Sequence, residues 1–311
     1  MLQSEVLAQV RRIQVRTNRL VTDVMAGGYT SVFRGAGIEF DEVREFTEGD
    51  DIRAVDWNVT ARTGRPHVKK YMEERELTVL FLLDVSGSMA FGTAPGRATQ
   101  PPTVRRAAAT FCACLALAAA RNNDKAGLIA FSDRIEGYVP SKKGKAHVLR
   151  IIREALALEA RGRGTDVAAA LDYAGRVQRK RAVIFVISDF LTVPDLARPL
   201  RLLARRHDVI ATQIVDRSTL ELPRAGLLHL RDLETGVSRW VDSGSAKVRA
   251  AWAERMRSRQ ERLAETLKRS GVDRMEIVVR GDHVESGQIE RAVGDAIVRF
   301  FRMREVRGAH R

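Results

Sequence analysis

The sequence predicts an α/β protein built on a doubly wound, mostly parallel sheet. Three observations carry that expectation: nearly continuous apolar runs, helical patterns alternating with them, and a cluster of oxygen-bearing residues where the first run stops. Runs that are apolar on both faces mark strands covered on two sides. Their alternation with helices marks the crossovers of a parallel sheet.

The strand candidates are LTVLFLLD (77–84), KAGLIAF (125–131), RAVIFVIS (181–188) and DVIATQIVD (208–216). Between them, TVRRAAATFCACLALAAARN, AHVLRIIREALALEA, DVAAALDYAGRVQRK and PDLARPLRLLARRH have helical periodicity, the last with Pro194 in its first turn. RIEGYVPS (134–141) is suited to a short hairpin strand beside 125–131. After Asp216, GLLHLRDLETGVSRWVD predicts a hairpin turning near Glu234 to Gly236. A charged helix (245–269), a strand RMEIVV (274–279) and a terminal helix (287–304) complete the pattern. The expected organisation is therefore an N-terminal segment (1–76), a main domain (77–282) and a C-terminal helix (283–311).

The first 76 residues differ in kind. An amphipathic opening helix precedes a stretch dense in Gly, Asp, Glu and Arg with little continuous apolar sequence, so this segment is expected to pack on the main domain through paired charges. Its GAGIEF piece invites a phosphate-loop interpretation. Phe40 stands where the third glycine of a dinucleotide fingerprint belongs, and no long apolar strand precedes Gly35, so tight turns fit better.

The chain has 311 residues, 45% of them hydrophobic and 30% charged, which is enough for a large core without disulfides or metal staples. No charged start followed by an apolar core and cleavage site is present. The longest apolar run, Ala107 to Ala120, is shorter than the roughly 20 residues a bilayer requires. These features predict a cytoplasmic protein with no transmembrane segment. Cys112 and Cys114 fall in that run at a spacing that points them apart on a helix, as reduced core residues. The net charge of +14 attracts nucleic acid, anionic membrane or acidic protein alike. The positives are dispersed and alternate with acids, as in AERMRSRQERLAETLKR, which is the pattern of a solvated helix face; few aromatics are available for base stacking.

The stretch LFLLDVSGSMAFG holds the chemistry. In extended backbone, alternate residues project to one side, so Asp84, Ser86 and Ser88 present oxygens to one point. Thr165 in RGRGTD and Asp189 in VISDF occupy equivalent ends or adjoining loops, and ligands of open α/β sheets bind beyond the carboxyl ends of the strands. Two carboxylates and three hydroxyls form a hard-oxygen set suited to Mg²⁺, with Ca²⁺ or Mn²⁺ as alternatives, and unsuited to zinc or copper. Taken singly, Asp84 to Ser88 would serve as a turn and N-cap, and Thr165 with Asp166 as a helix cap.

The five residues match, one by one and in order, the Asp-x-Ser-x-Ser, Thr, Asp pattern of the metal-ion-dependent adhesion site of von Willebrand factor type A domains, which they resemble. The N-terminal segment followed by LLDVSGSM is similar to the domain-of-unknown-function-58 family, through Gly35, Gly37, Glu39, Phe40, Arg44, Gly49, Asp50, Arg53, Asp56, Trp57, Ala61 and Arg62. The resemblance implies a von Willebrand factor A-like, Rossmann-type fold with an N-terminal family-specific segment. It also implies a metal site whose open position accepts an acidic side chain from a protein partner. Members of the family are often encoded beside MoxR-type AAA+ ATPases, which implies an adaptor or co-chaperone role with such an ATPase or its client. Arg44, Arg53 and Arg62 against Glu39, Asp50 and Asp56 form either an internal charge lattice, the preferred interpretation, or a partner surface of Arg44, Arg53, Asp56, Trp57 and Arg62.

Two other functions compete. A Mg²⁺-dependent phosphotransferase or phosphatase could use Asp84 as nucleophile. The acid/base Asp expected two positions later is replaced by Ser86. Ser86 and Ser88 lack the glycines of a nucleophile elbow, and no histidine is tied to them by motif. Nucleic-acid binding rests on charge alone. The expectation is a non-enzymatic interaction protein.

Overall fold

The computed structural model describes residues 39–47, 50–52, 55–72, 77–92, 103–191, 196–280 and 287–309. They fall into two compact units, one within Phe33–Leu77 and one within Thr78–Arg311. The amphipathic opening helix, Gly35, Gly37, Gly49, Arg53 and Pro194 lie outside the described residues.

The smaller unit contains regular structure that the charge-rich sequence did not announce. Strand β1 (Glu39–Glu45), helix α1 (Trp57–Thr63) and strand β2 (His67–Met72) follow in order, and β1 pairs antiparallel with β2. Arg44 forms a forked pair with Asp50, at 2.8 and 2.6 Å, and Asp50 also accepts the Thr47 amide. Asp56 caps α1 by accepting the Asn58 and Val59 amides, and Gly64 ends the helix at φ +73°. Ionic and capping contacts thus hold a unit with few apolar residues. Arg44 and Asp56 are engaged in these internal contacts, whereas Trp57 and Arg62 are exposed.

The larger unit opens with β3 (Thr78–Asp84), buried along its whole length. Then come α2 (Thr103–Arg121), β4 (Lys125–Phe131), β5 (Ile135–Lys142), α3 (Lys145–Ala157), α4 (Val167–Val177) and β6 (Val183–Ser188). The chain continues through α5 (Ala197–Ala204), β7 (Asp208–Asp216), the single turn α6 (Arg217–Leu220) and the hairpin β8 (Leu227–Arg231) and β9 (Ser238–Asp242). Helix α7 (Ala246–Arg269), β10 (Asp273–Val279) and α8 (Gln288–Ala309) close it.

The six-stranded sheet has the order β10-β7-β6-β3-β4-β5. All pairings are parallel except that of the edge strand β5. This is the expected doubly wound, mostly parallel sheet. Chain order runs outward on both sides of β3, through β4 in one direction and β6 in the other, so a crevice opens at the carboxyl end of β3.

Alternation along β3 divides its side chains between two cores. Leu80 and Leu82 pack with Val167, Leu171, Ile184 and Leu200. On the other side Phe81 stacks on Phe185 at 6.0 Å, and Phe111 of α2 meets Phe185 edge-on at 5.4 Å. Helix α2 is longer than the apolar run noticed in the sequence. Among the described residues it is the one helix long and apolar enough to cross a membrane, and 83% of its apolar window is buried within this unit. Cys112 and Cys114 are free and buried there. At the sheet's amino-terminal edge, Arg304 of α8 forks onto Asp208 at 2.6 and 2.7 Å and reaches Asp273 at 2.8 Å. The alternating charges of α7 form surface pairs, Arg257 with Glu254 and Arg269 with Glu265, as expected of a solvated face.

Candidate metal centre

Strand β3 stops at Asp84 because the side chain takes over the next backbone bond: Asp84 Oδ1 accepts the Ser86 amide at 2.9 Å. The other carboxylate oxygen accepts the Ser188 hydroxyl, from the end of neighbouring β6, at 2.6 Å. Ser86 and Ser88 face each other with hydroxyl oxygens 3.2 Å apart, and the nearby Ser88 hydroxyl favours the charged form of Asp189. Asp84, Ser86, Ser88 and Ser188 are therefore linked by hydrogen bonds, with Asp189 adjoining Ser188 in the chain.

The turn after β6 aims Asp189. Phe190 adopts φ +52°, a left-handed conformation that a bulky residue seldom takes. Its amide bonds to Ser188 Oγ at 3.0 Å, while the Leu191 amide bonds to Asp189 Oδ1 at 3.1 Å and Gln213 Nε2 holds the Asp189 carbonyl at 3.2 Å. A shallow cleft opens beside Asp189, towards Asp216 and Arg259.

Thr165 arrives on the loop before α4. That loop is organised by Glu136 of β5, whose Oε1 accepts the Arg161 and Gly162 amides at 2.9 and 2.7 Å and the Ser132 hydroxyl at 2.6 Å. Asp166 then caps α4 through the Ala169 amide at 2.9 Å. The loop touches the β3 turn where the Gly87 amide donates to the Arg163 carbonyl at 3.0 Å. Thr165 does not bond directly to the other four residues; its hydroxyl donates to Glu234, at the tip of the β8–β9 hairpin, at 2.7 Å.

Burial and mutual repulsion dominate the electrostatics. Asp84 is fully buried and Asp189 nearly so. Burial raises the pKa of Asp84 despite the bonds from Ser188 and Ser86, and Glu234 raises it further. Asp189 is pushed up to about 7, first by burial, then by the Asp84 and Glu234 charges. Among the described residues no salt bridge reaches either aspartate. Two buried carboxylates interleaved with hydroxyls, without a cationic partner in contact, are the donor chemistry that a hard divalent ion satisfies. The residues fit such an ion. Among the described residues no three His, Cys, Asp or Glu side chains converge as an ion-holding group, so the donor set rests on two carboxylates and the hydroxyls.

Sequence reasoning missed Ser188, Glu136 and Glu234. Ser188 carried a signal, since it directly precedes Asp189 at the end of an apolar strand. Nothing local marks Glu136 or Glu234, because each acts on a loop distant in the chain.

The sheet and its oxygen-lined rim are those of a doubly wound, mostly parallel α/β protein. The chain belongs to the family described as protein of unknown function DUF58, whose model matches residues 42–262. It is 36% identical over 235 residues to an uncharacterized protein of Mycobacterium tuberculosis, covering 75% of this chain and 72% of that one. An uncharacterized protein of Mycobacterium avium is 36% identical over 106 residues, 34% of this chain and 62% of that one. Among solved structures, the conserved hypothetical protein BatB from Bacteroides thetaiotaomicron aligns at TM-score 0.42 and 17% identity, over 72% of this chain and 98% of that one. Proximal thread matrix protein 1 of the mussel byssus, with a zinc-occupied MIDAS motif, aligns at TM-score 0.34 and 15% identity, over 45% of this chain and 38% of that one.

Proposed function

We propose that the protein is a non-enzymatic, metal-dependent interaction module of the cytoplasm, working as adaptor or co-chaperone with a MoxR-type AAA+ ATPase or its client. The single observation that supports this most is the cluster of oxygens at the ends of β3 and β6, where Ser86 meets Ser88 and buried Asp84, fixed by Ser188, lies beside buried Asp189. Asp84, Ser86, Ser88, Thr165 and Asp189 would hold the ion, with Mg²⁺ the best match to the donors and Ca²⁺ or Mn²⁺ as alternatives. The ion would supply an electrophilic position for a carboxylate oxygen of the partner. The protein's own side chains orient that position: Ser188 and the Ser86 amide fix Asp84, and the left-handed turn at Phe190 fixes Asp189.

A phosphoryl-transfer role fits less well. Asp84 is fully buried, and both its oxygens accept hydrogen bonds, whereas an attacking carboxylate needs an exposed oxygen. The basic balance alone supports nucleic-acid binding, and the surface pairs on α7 neutralise part of it.

The test is recovery of a purified MoxR-type AAA+ ATPase from the same genome on immobilised protein, wild type and Asp189→Ala, with Mg²⁺ or with EDTA. Recovery is expected from wild type in Mg²⁺ and loss in the other three arms. Equal recovery in all four rejects the proposal.

A further inference from the structure

The β8–β9 hairpin contributes no residue to the five-residue pattern, yet its tip is built into the rim by two independent features. The first is steric: a Cβ on Gly87 would lie 2.4 Å from the Leu233 carbonyl oxygen, so the turn after β3 accepts the hairpin backbone only because residue 87 has no side chain. Gly87 has φ −58°, a conformation open to any residue, so close approach and not backbone freedom accounts for glycine here. The second is polar: Glu234, half-buried, accepts the Thr165 hydroxyl at 2.7 Å.

The tip is also preorganised. Asp232 Oδ1 accepts the Glu234 and Thr235 amides at 2.9 and 3.2 Å, the Gly236 amide bonds to the Asp232 carbonyl at 2.9 Å, and Gly236 takes φ +74°. These bonds set the direction in which Glu234 leaves the turn. Its negative charge lies close enough to Asp84 and Asp189 to raise both. A negative charge near that pair adds to their mutual repulsion, which a cation at the rim would offset.

Resting on the metal-dependent docking described above, we infer that Glu234, held at the rim beside the cation site by Thr165, competes in-chain for the place that a partner's acidic side chain takes. The hairpin is then a tethered competitor. A tethered group acts at an effective concentration of about millimolar, so a partner's carboxylate must displace it, and the site is guarded against weak acidic ligands. In its held position the glutamate also orients the Thr165 hydroxyl, whose proton it takes in the bond so that the oxygen's lone pairs can face the ion.

The test uses Mn²⁺ alone as probe, with binding measured by calorimetry and backbone protection by hydrogen exchange, on full-length wild type, Glu234→Gln and Asp189→Asn. Glutamine keeps an acceptor for Thr165 and removes only the charge. Wild type is expected to bind Mn²⁺ with slowed exchange across 232–236, and Glu234→Gln to bind about tenfold more weakly without that slowing. Asp189→Asn should lose binding. Unchanged affinity in Glu234→Gln, or no slowing in wild type, with binding still lost in Asp189→Asn, overturns the role of Glu234 and leaves the cation site standing. No Mn²⁺ binding by wild type, or full binding by Asp189→Asn, overturns the site itself and this inference with it.

Discussion

Ser188 donates its hydroxyl to Asp84 at 2.6 Å, joining the carboxyl ends of adjacent parallel strands across 104 positions of sequence. The bond satisfies an acceptor on a fully buried carboxylate and ties the two halves of the rim together.

Removing that hydroxyl leaves a buried acceptor without its donor. Ser188→Ala should destabilise the protein by about 1–3 kcal/mol, measured by urea unfolding in EDTA. A loss below a few tenths of a kcal/mol would show that the bond contributes nothing at this site.

The paired aspartates predict a pH dependence of the metal-free protein. Asp189 has its pKa raised in the folded state to about 7 from an ordinary value of 3.8. Its stabilising contribution is therefore complete below the lower value and is lost as pH rises through the upper one. Asp189→Asn cannot ionise. In EDTA its stability relative to wild type should rise between about pH 5 and about pH 8, as wild type alone acquires the buried charge. Urea midpoints at both pH values check this; a difference independent of pH contradicts the assignment.

Gly87 predicts a steric effect without a backbone one. Gly87→Ala places a methyl group against the Leu233 carbonyl and near that of Arg163. The cost should be about 1–3 kcal/mol, accompanied by faster hydrogen exchange in the β8–β9 hairpin. Unaltered exchange there would mean that the hairpin does not lean on this turn.

The sheet was legible in the sequence because strands covered on both faces have to be apolar throughout. β3, β4 and β7 coincide with their apolar runs within a residue, and β6 begins two residues into its run. The two strands and the helix of the smaller unit were not legible. Their stability comes from Arg44 on Asp50 and Asp56 on the start of α1, contacts that leave no apolar period behind. The terminal helix runs past the expected end at 304 to Ala309, through Gly308.

By itself the sequence determined the doubly wound sheet and the alternating oxygens of Asp84, Ser86 and Ser88, because periodicity and side-chain direction are local properties of the chain. Tertiary structure alone decided which distant groups meet those oxygens. Ser188 comes from the neighbouring strand, Glu136 shapes the loop of Thr165, and Glu234 reaches that threonine from a hairpin 69 positions further on. The physical reason is that a hydrogen bond between loops depends on where the sheet delivers them, and no pattern at either end of the sequence records that distance.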